Sequence, residues 1–420
     1  MQKLNVLVVG SGGREHRICK NLGMSPQLGR LVCTPGNPGI AEIALCADIS
    51  WAETPNSFDR FASTFDLVVI GPERPLVAGL ADRLRARGTP VFGPGKDGAL
   101  LEGSKVYAKN FMTTYGIPTA ACLFFRDRAK LAEYLRTIEL PKVLKADGLM
   151  EGKGAVVIRT KADIDAAIAK TFVEGKQCIV ENFMSGEEIS VTYILDGKKA
   201  FLLPCSRDHK RALDGDKGSN TGGMGAHSPS YWSTHMRKAM LKRIEETILA
   251  PTGKGLRAEG IDFRGVLYIN IMLTSEGPKV IDYNVRFGDP ECQVLLMRMY
   301  SDLLPLLYDC AIGNAAGHTP EIDLDPAICV VMSSKGYPDA TDPCGEIRNL
   351  SAVARMPGVE VLHAGTKMQN GVLVPNGGRV LNICATGETF KIAKQRAYEA
   401  IRMVDWQEGE FRTDIGHRFE

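Results

Sequence analysis

The stretch KVIDYNVRFGDPE (279–291) sets a carboxylate, a carboxamide and a guanidinium at alternate positions. A period of two places Val280, Asp282, Asn284 and Arg286 on one face of a strand, with Ile281, Tyr283, Val285 and Phe287 on the other. The side-chain oxygens of Asp282 and Asn284 are hard donors of the kind that Mg²⁺ takes, with phosphate oxygens completing its shell. Arg286 suits a carboxylate or phosphate held through two parallel hydrogen bonds. The bland alternative is a polar strand edge closed by an ion pair. Just upstream, Tyr268 and Asn270 share a face of GVLYINIML (265–273), so polar groups are expected on both neighbouring strands.

The second candidate is KADGLMEGKG (145–154). Lys145 ends an apolar strand, and Gly152, Lys153 and Gly154 follow a turn opened by Asp147-Gly148. A fixed lysine with a glycine flap could grip nucleotide phosphates and exclude water. The same residues could also make an exposed hairpin. Nothing here matches the G-x-x-x-x-G-K-[ST] phosphate loop. GSGGREH (10–16) invites a dinucleotide reading and falls short, because Glu15 stands where the third glycine belongs. The following strand ends CTPGN, with no carboxylate for a ribose. What remains is a glycine turn opening a helix, either purely structural or offering free N–H groups to a phosphate. PGN (35–37) and GPERPL (71–76) repeat such turns, which favours one shared phosphate-bearing substrate.

Residues 205–229 mix Asp, Lys, Arg and His with five glycines and follow no element period. That suits an amino acid, whose ammonium and carboxylate need both signs, although disorder would look similar. His209 there could serve as a base or as a hydrogen-bonding group. No Ser/His/Asp spacing, H-E-x-x-H or paired-cysteine site stands out. The inventory is one of phosphate, metal and electrostatics.

The elements that must position these groups alternate strand and helix over the first hundred residues: LNVLVVG, RLVCT, DLVVIG and TPVFGP with helices between, including one over 76–87. Such alternation predicts a parallel, doubly wound sheet whose carboxyl edge carries the glycine turns. A helix over 103–116, a second strand–helix alternation over 120–190, and a smaller terminal segment from about 326 follow. A chain of 420 residues exceeds what one core sustains. Net charge of +2 gives no electrostatic case for nucleic acid or an anionic membrane. The longest apolar runs are strand-length, and the N-terminus lacks a signal-peptide pattern. Eleven scattered cysteines without a C-x-x-C pair argue against zinc and disulfides, so a cytoplasmic location is expected.

Read in order, GSGGREH, PGNPG, GPERPL, LEGSK, KADGLMEGKG, GEE, DHKR, NTGGMGA, NVRFGDPE, LHAGTK and NGGRVL resemble the glycinamide ribonucleotide synthetases (phosphoribosylamine–glycine ligases), ATP-grasp enzymes of purine biosynthesis. The resemblance spans nearly the whole chain. It implies an α/β multidomain fold: an N-terminal doubly wound domain (1–102), a split ATP-grasp core (103–120 and 189–325), an inserted lid (121–188) and a small C-terminal α+β domain (326–420). The implied reaction joins glycine to 5-phosphoribosylamine with ATP, through a glycyl phosphate, and a monomer is expected.

By position, the resemblance assigns Lys105, Lys145, Gly152, Lys153 and Gly154 to ATP phosphates, Glu181, Asn182 and Phe183 to adenine, and Glu188 to the ribose. Asp282 and Asn284 would take Mg²⁺ or Mn²⁺. Gly12, Gly13, Arg14, Gly36, Asn37 and Glu73 would face phosphoribosylamine. Asp208, Lys210, Asp214, Thr221, Gly222, Gly223, Met224, Arg286, Gly288 and Asp289 would surround substrate, with Arg286, Lys145 and Asp214 as the catalytic set. Some positions depart from the family pattern. Asp282 stands where Glu is common and Asn270 where Gly is usual; Met150 and Glu151 replace small residues in the flap. The alternatives are another ATP-grasp carboxylate–amine ligase, a nicotinamide-dependent oxidoreductase, or a non-catalytic nucleotide-binding module.

Overall fold

The apolar run Val6–Val9 is buried on both sides of its strand, as in a sheet covered by helices on both faces. In the computed structural model, which describes residues 3–150, 154–229 and 234–417, that strand is the centre of a five-stranded parallel sheet. The spatial order is Leu45–Cys46, Leu28–Pro35, Leu4–Gly10, Leu67–Ile70, Val91–Phe92. Strand order reverses about Leu4–Gly10, and the glycine turns sit at the carboxyl edge there. The helix expected over 76–87 is instead two, Glu73–Val77 and Leu80–Arg85, because Gly79 takes a left-handed φ of +83°.

Residues 122–182 form a four-stranded antiparallel sheet, ordered Cys122–Phe125, Cys178–Asn182, Lys142–Ala146, Ala155–Ile158. Leu131 and Leu135 of helix Arg128–Thr137, with Ile164 and Ile168 of helix Ile164–Thr171, join Leu144 and Ile158 in its core. A second antiparallel sheet is ordered Ala200–Leu202, Glu187–Asp196, Arg264–Thr274, Gly277–Asn284. Helix Lys105–Thr114, capped by the Ser104 hydroxyl accepting from Tyr107 N, links this sheet to the parallel one.

The strict alternation expected around Asp282 is broken. Asn270 pairs with Asp282 but Ile271 pairs with Val280, so Ile281 is an extra residue, a β-bulge. Val280 therefore turns into the core with Tyr283 and Val285, while Ile281 stays half-buried beside Asp282. The assignment of Val280 to the polar face and Ile281 to the apolar one is corrected by that bulge.

The stretch 205–229 is not an irregular loop. It holds the short strands Arg207–Asp208, Arg211–Leu213, Lys217–Asn220 and Gly225–Ser228. The last of these enters the C-terminal sheet against Ala327–Ser333, giving the order Arg207–Asp208, Gly225–Ser228, Ala327–Ser333, Arg379–Thr386, Val359–His363. Gly225 permits the approach, since a Cβ there would lie 2.7 Å from the Cys329 carbonyl oxygen. Helix Phe390–Met403 covers one face of this sheet.

Candidate active site

Lys145 ends its strand with the ammonium buried, 3.0 Å from Glu181 Oε2 and donating to the Ile281 carbonyl at 3.1 Å. The other Glu181 oxygen lies 3.1 Å from the Nζ of Lys109, which also donates to Thr119 Oγ1 at 2.7 Å. One buried carboxylate thus bridges two buried lysines. Burial alone would lower the Lys145 pKa, but Glu181 and Asp282 reverse the shift and keep it charged. Lys105 reaches the same turn, donating to the Gly148 carbonyl at 3.4 Å. Asp147 fastens that turn to the core. Its Oδ1 accepts from Ser104 Oγ at 3.0 Å and from Val106 N at 3.2 Å, at the N-terminus of helix Lys105–Thr114.

Across the cleft, Asn270 donates to Asp282 Oδ1 at 2.6 Å. Burial pushes the Asp282 pKa up, yet Lys210 and Lys145, helped by that amide, bring it below the usual carboxylate range. Lys210 is paired with Glu188 and lies 3.9 Å from Asp208. Asp208 is raised to about 8, first by burial, with Glu291 and Glu188 adding to the rise against the pull of Lys210. Among the described residues no group of three or more His, Cys, Asp or Glu side chains could hold a metal. What is present is a carboxylate and a carboxamide two residues apart. Among the described residues the Asp282 carboxylate makes one hydrogen bond, through Oδ1, and Asn284 Oδ1 accepts from Arg286 at 3.2 Å. Two hard oxygen donors fit a small divalent cation held jointly with phosphate oxygens and water, not an all-protein cage.

Arg286 lies where the sheets meet. Its Nε donates to Glu73 at 3.1 Å, its Nη2 to Glu102 at 2.8 Å and its Nη1 to the Phe287 carbonyl at 3.1 Å. Burial works against the ionised form of Glu73, but Arg286 and Arg14 hold its pKa down to about 2. Glu102 goes the other way, raised mainly by burial. Arg14 donates to the Phe287 carbonyl at 3.0 Å, and Arg379 donates to the carbonyls of Gly222 at 2.9 Å and Asp289 at 2.5 Å. Thr221 closes the intervening loop by donating to Lys210 O at 2.9 Å and accepting from Gly223 N at 2.9 Å, with Met224 buried behind it. Gly288 has no room for a side chain, since a Cβ would lie 2.4 Å from Glu291.

Not every predicted residue arrives here. Asp214 is exposed, and its carboxylate accepts from Thr413 N at 2.9 Å and from the Thr413 hydroxyl. The hairpin Arg211–Asn220 carries it to Thr413 of the C-terminal segment. Asn37 spends its amide on the carbonyls of Ser11 at 2.8 Å and His363 at 3.0 Å, and Gly36 turns the chain beside it at φ +73°. The helix N-terminus at GSGG is not wholly free either. Gly12 N donates to Glu15 Oε2 at 2.6 Å, and a Cβ on Gly13 would meet the Asn382 amide at 2.2 Å. Glu15 fills the crevice between Gly10 and Gly71, which removes the space a dinucleotide pyrophosphate would use. Asn182 accepts from Lys142 at 2.7 Å, and Phe183 lies under the Arg159 guanidinium at 5.6 Å. The Gly154 carbonyl accepts from Ala146 N, while Glu151, Gly152 and Lys153 lie outside the described residues. His209 is buried, accepts from Gly416 N at 3.0 Å, and has its pKa lowered mainly by burial, which suits a neutral hydrogen-bonding ring.

The matches to known proteins run the length of the chain. Family models described as phosphoribosylglycinamide synthetase N domain, ATP-grasp (A) domain and C domain match residues 4–102, 103–292 and 327–418. The chain belongs to the phosphoribosylglycinamide synthetase family. A phosphoribosylamine–glycine ligase from Brucella melitensis is 45% identical over 99% of this chain and 98% of its own length. One from Rhizobium meliloti is also 45% identical, over 99% and 98%. The crystal structure of a phosphoribosylamine–glycine ligase from Thermotoga maritima superposes with a TM-score of 0.84 at 32% identity, covering 98% of this chain and all of that one.

Three residues of this synthetase-family site escaped sequence reasoning. Lys109 falls four residues after Lys105, hence on the same helix face, and that spacing was a usable signal. Glu102 immediately precedes the Gly-Ser turn before Lys105, but nothing local announces that it reaches Arg286. Arg379 comes from the C-terminal sheet, and only the assembled fold shows that it crosses to Gly222 and Asp289.

Proposed function

We infer that this chain is an ATP-dependent ligase that joins glycine to 5-phosphoribosylamine, giving glycinamide ribonucleotide, ADP and phosphate. The observation that carries it is the convergence on one strand of Lys145, which donates to the Ile281 carbonyl beside Asp282, the Asp282–Asn284 pair, and Arg286, which donates to Asn284. It is supported by full-length likeness to phosphoribosylamine–glycine ligases.

Lys105 and Lys145 neutralise the nucleotide phosphates, with the flap of Gly152, Lys153 and Gly154 over them. Glu188 takes the ribose hydroxyls, and the Glu181–Phe183 segment borders adenine. A divalent cation at Asp282 and Asn284 would offset charge on the phosphates. Arg286 holds the glycine carboxylate as it attacks the γ-phosphoryl group, forming glycyl phosphate and releasing ADP. The amine of phosphoribosylamine, held near Gly12, Gly13, Arg14, Gly36, Asn37 and Glu73, then attacks the acyl carbon and phosphate leaves. Asp208, Lys210, Thr221–Met224, Gly288 and Asp289 wall the site from water, which would otherwise hydrolyse the acyl phosphate. Asp214 is left out, because its carboxylate is committed to Thr413.

The working unit proposed is a monomer. Eleven free thiols support a reducing, cytoplasmic setting. Among the described residues no helix is long and apolar enough to cross a membrane. The test is ADP release measured with each of several amino acids, with and without phosphoribosylamine generated in place. Turnover needing both glycine and phosphoribosylamine is expected. Equal turnover with another amino acid would overturn the reading.

A further inference from the structure

Asn270 faces Asp282 directly across the antiparallel pair Arg264–Thr274 and Gly277–Asn284. The side chain is buried, and its amide has only one workable orientation. Asp282 Oδ1, a carboxylate oxygen that only accepts, lies 2.6 Å away and fixes Nδ2 on its side, which leaves Oδ1 toward the Tyr268 hydroxyl at 2.7 Å and Ser190 Oγ at 3.3 Å. The Tyr268 hydroxyl is itself fixed, 2.9 Å from Ser190 Oγ and 2.6 Å from Glu291 Oε1. Buried groups tie this chain down from Glu291 to Asp282, and each makes the next more directional.

Two consequences follow for Asp282. One carboxylate oxygen is committed to the amide, which leaves Oδ2 as the oxygen for a cation. The contact is also already short, so a longer acid at 282 would drive its carboxylate into the Asn270 amide. A methylene adds about 1.5 Å of reach, and the bulge at Ile281 sets the direction in which Asp282 projects.

We propose that Asn270 is a positioning residue for the cation site, and that Asn270 and Asp282 form a length-matched pair in which the amide takes the volume a longer acid would need. This rests on the reading of Asp282 as a cation ligand.

The test is Mn²⁺ affinity of the full chain bound to a non-hydrolysable ATP analogue, read by electron paramagnetic resonance and calorimetry. The variants are Asp282→Ala, Asn270→Gly, Asp282→Glu and the double Asn270→Gly/Asp282→Glu. Asp282→Ala should weaken Mn²⁺ at least tenfold; wild-type affinity there would overturn the cation reading and this inference with it. If that loss is seen, Asn270→Gly and Asp282→Glu should each weaken Mn²⁺ about tenfold, and the double variant should return to within about threefold of wild type. Additive losses in the double variant, or no loss in Asn270→Gly, would overturn the pairing alone. Tyr268→Phe, which keeps the packing and removes the hydroxyl that braces the far side of the amide, should weaken Mn²⁺ severalfold. Should the glycine variant fold poorly, Asn270→Ser carries the same expectation, and an unchanged Mn²⁺ affinity in both Tyr268→Phe and Asn270→Ser would overturn the proposal.

Discussion

The guanidinium of Arg286 and the carboxylate of Glu73 meet at 3.1 Å, the first on the strand end of the central antiparallel sheet and the second at the carboxyl edge of the parallel sheet. Glu102 approaches the same guanidinium at 2.8 Å. An ammonium at this position reaches one of these acids and abandons the other. Arg286→Lys should lower kcat/KM for glycine by about 10- to 100-fold, the scale of one lost charge-assisted hydrogen bond of ~1.5–3 kcal/mol. Steady-state kinetics with glycine varied would check it. A lower melting temperature with unchanged kcat/KM would make Arg286 a purely structural clasp.

Glu181 divides its charge between Lys109 and Lys145. On the proposed function, phosphates would draw Lys145 away and Lys109 would remain as counter-ion to the buried carboxylate. Lys109→Met should therefore cost stability of about 3 kcal/mol. It should also raise KM for ATP, because Glu181 would then retain Lys145. Adding Glu181→Gln to Lys109→Met should recover most of the melting temperature. No recovery would show that Lys109 acts through packing and not through its charge.

Asp147 caps the helix that carries Lys105 from the far side of the cleft. Asp147→Ala should lower stability by about 1 kcal/mol, as loss of a helix cap does. It should also weaken ATP binding, since the turn at Gly148 loses its tie to Lys105. Calorimetric titration with ATP checks the second part, and Asp147→Asn, which keeps an acceptor, should come close to wild type.

Four histidines are buried, His209 among them, and the three shifted furthest make the fold acid-sensitive. Burial, the leading cause in each, lowers His16 and His227 to about 3 and His363 to about 4. Below the ordinary pKa of about 6.5 the unfolded chain gains protons that the folded chain refuses, so stability falls as pH drops from there toward 4. Each ring should cost about 2 kcal/mol at pH 5. Asp208 acts in the opposite sense: raised to about 8, it favours the folded state as pH falls below that value. The histidines outnumber it, so urea midpoints should drop between pH 7 and pH 5. His16→Gln should flatten that slope, and an unchanged slope would refute the assignment.

The parallel sheet was legible because strand and helix periods are local properties, and Leu4–Gly10 lies where the alternation of LNVLVVG places it. Lys145 and the Asp282 face were legible for the same reason. The bulge at Ile281 was not, because an extra residue is specified by the partner strand and no residue type within KVIDYNV signals it. Asp214 looked like its polar neighbours in the 205–229 stretch; only the pairing of Arg211–Leu213 with Lys217–Asn220 turns it toward Thr413. Lys109, Glu102 and Arg379 act through contacts to remote carboxylates or carbonyls that no window of sequence contains.

Because Gly225–Ser228 is an internal strand of the C-terminal sheet, hydrogen-bonded on both sides, the loop Thr221–Met224 runs straight into an element the last hundred residues complete. Cutting the chain near residue 326 would strip that strand of its partner and expose a row of unsatisfied amides and carbonyls. The two fragments, produced together, should find each other and regain activity, whereas either one alone should be insoluble. The last quarter of the chain thus completes the sheet that anchors Thr221–Met224, and shuffling it among relatives would require exchanging Gly225–Ser228 along with it.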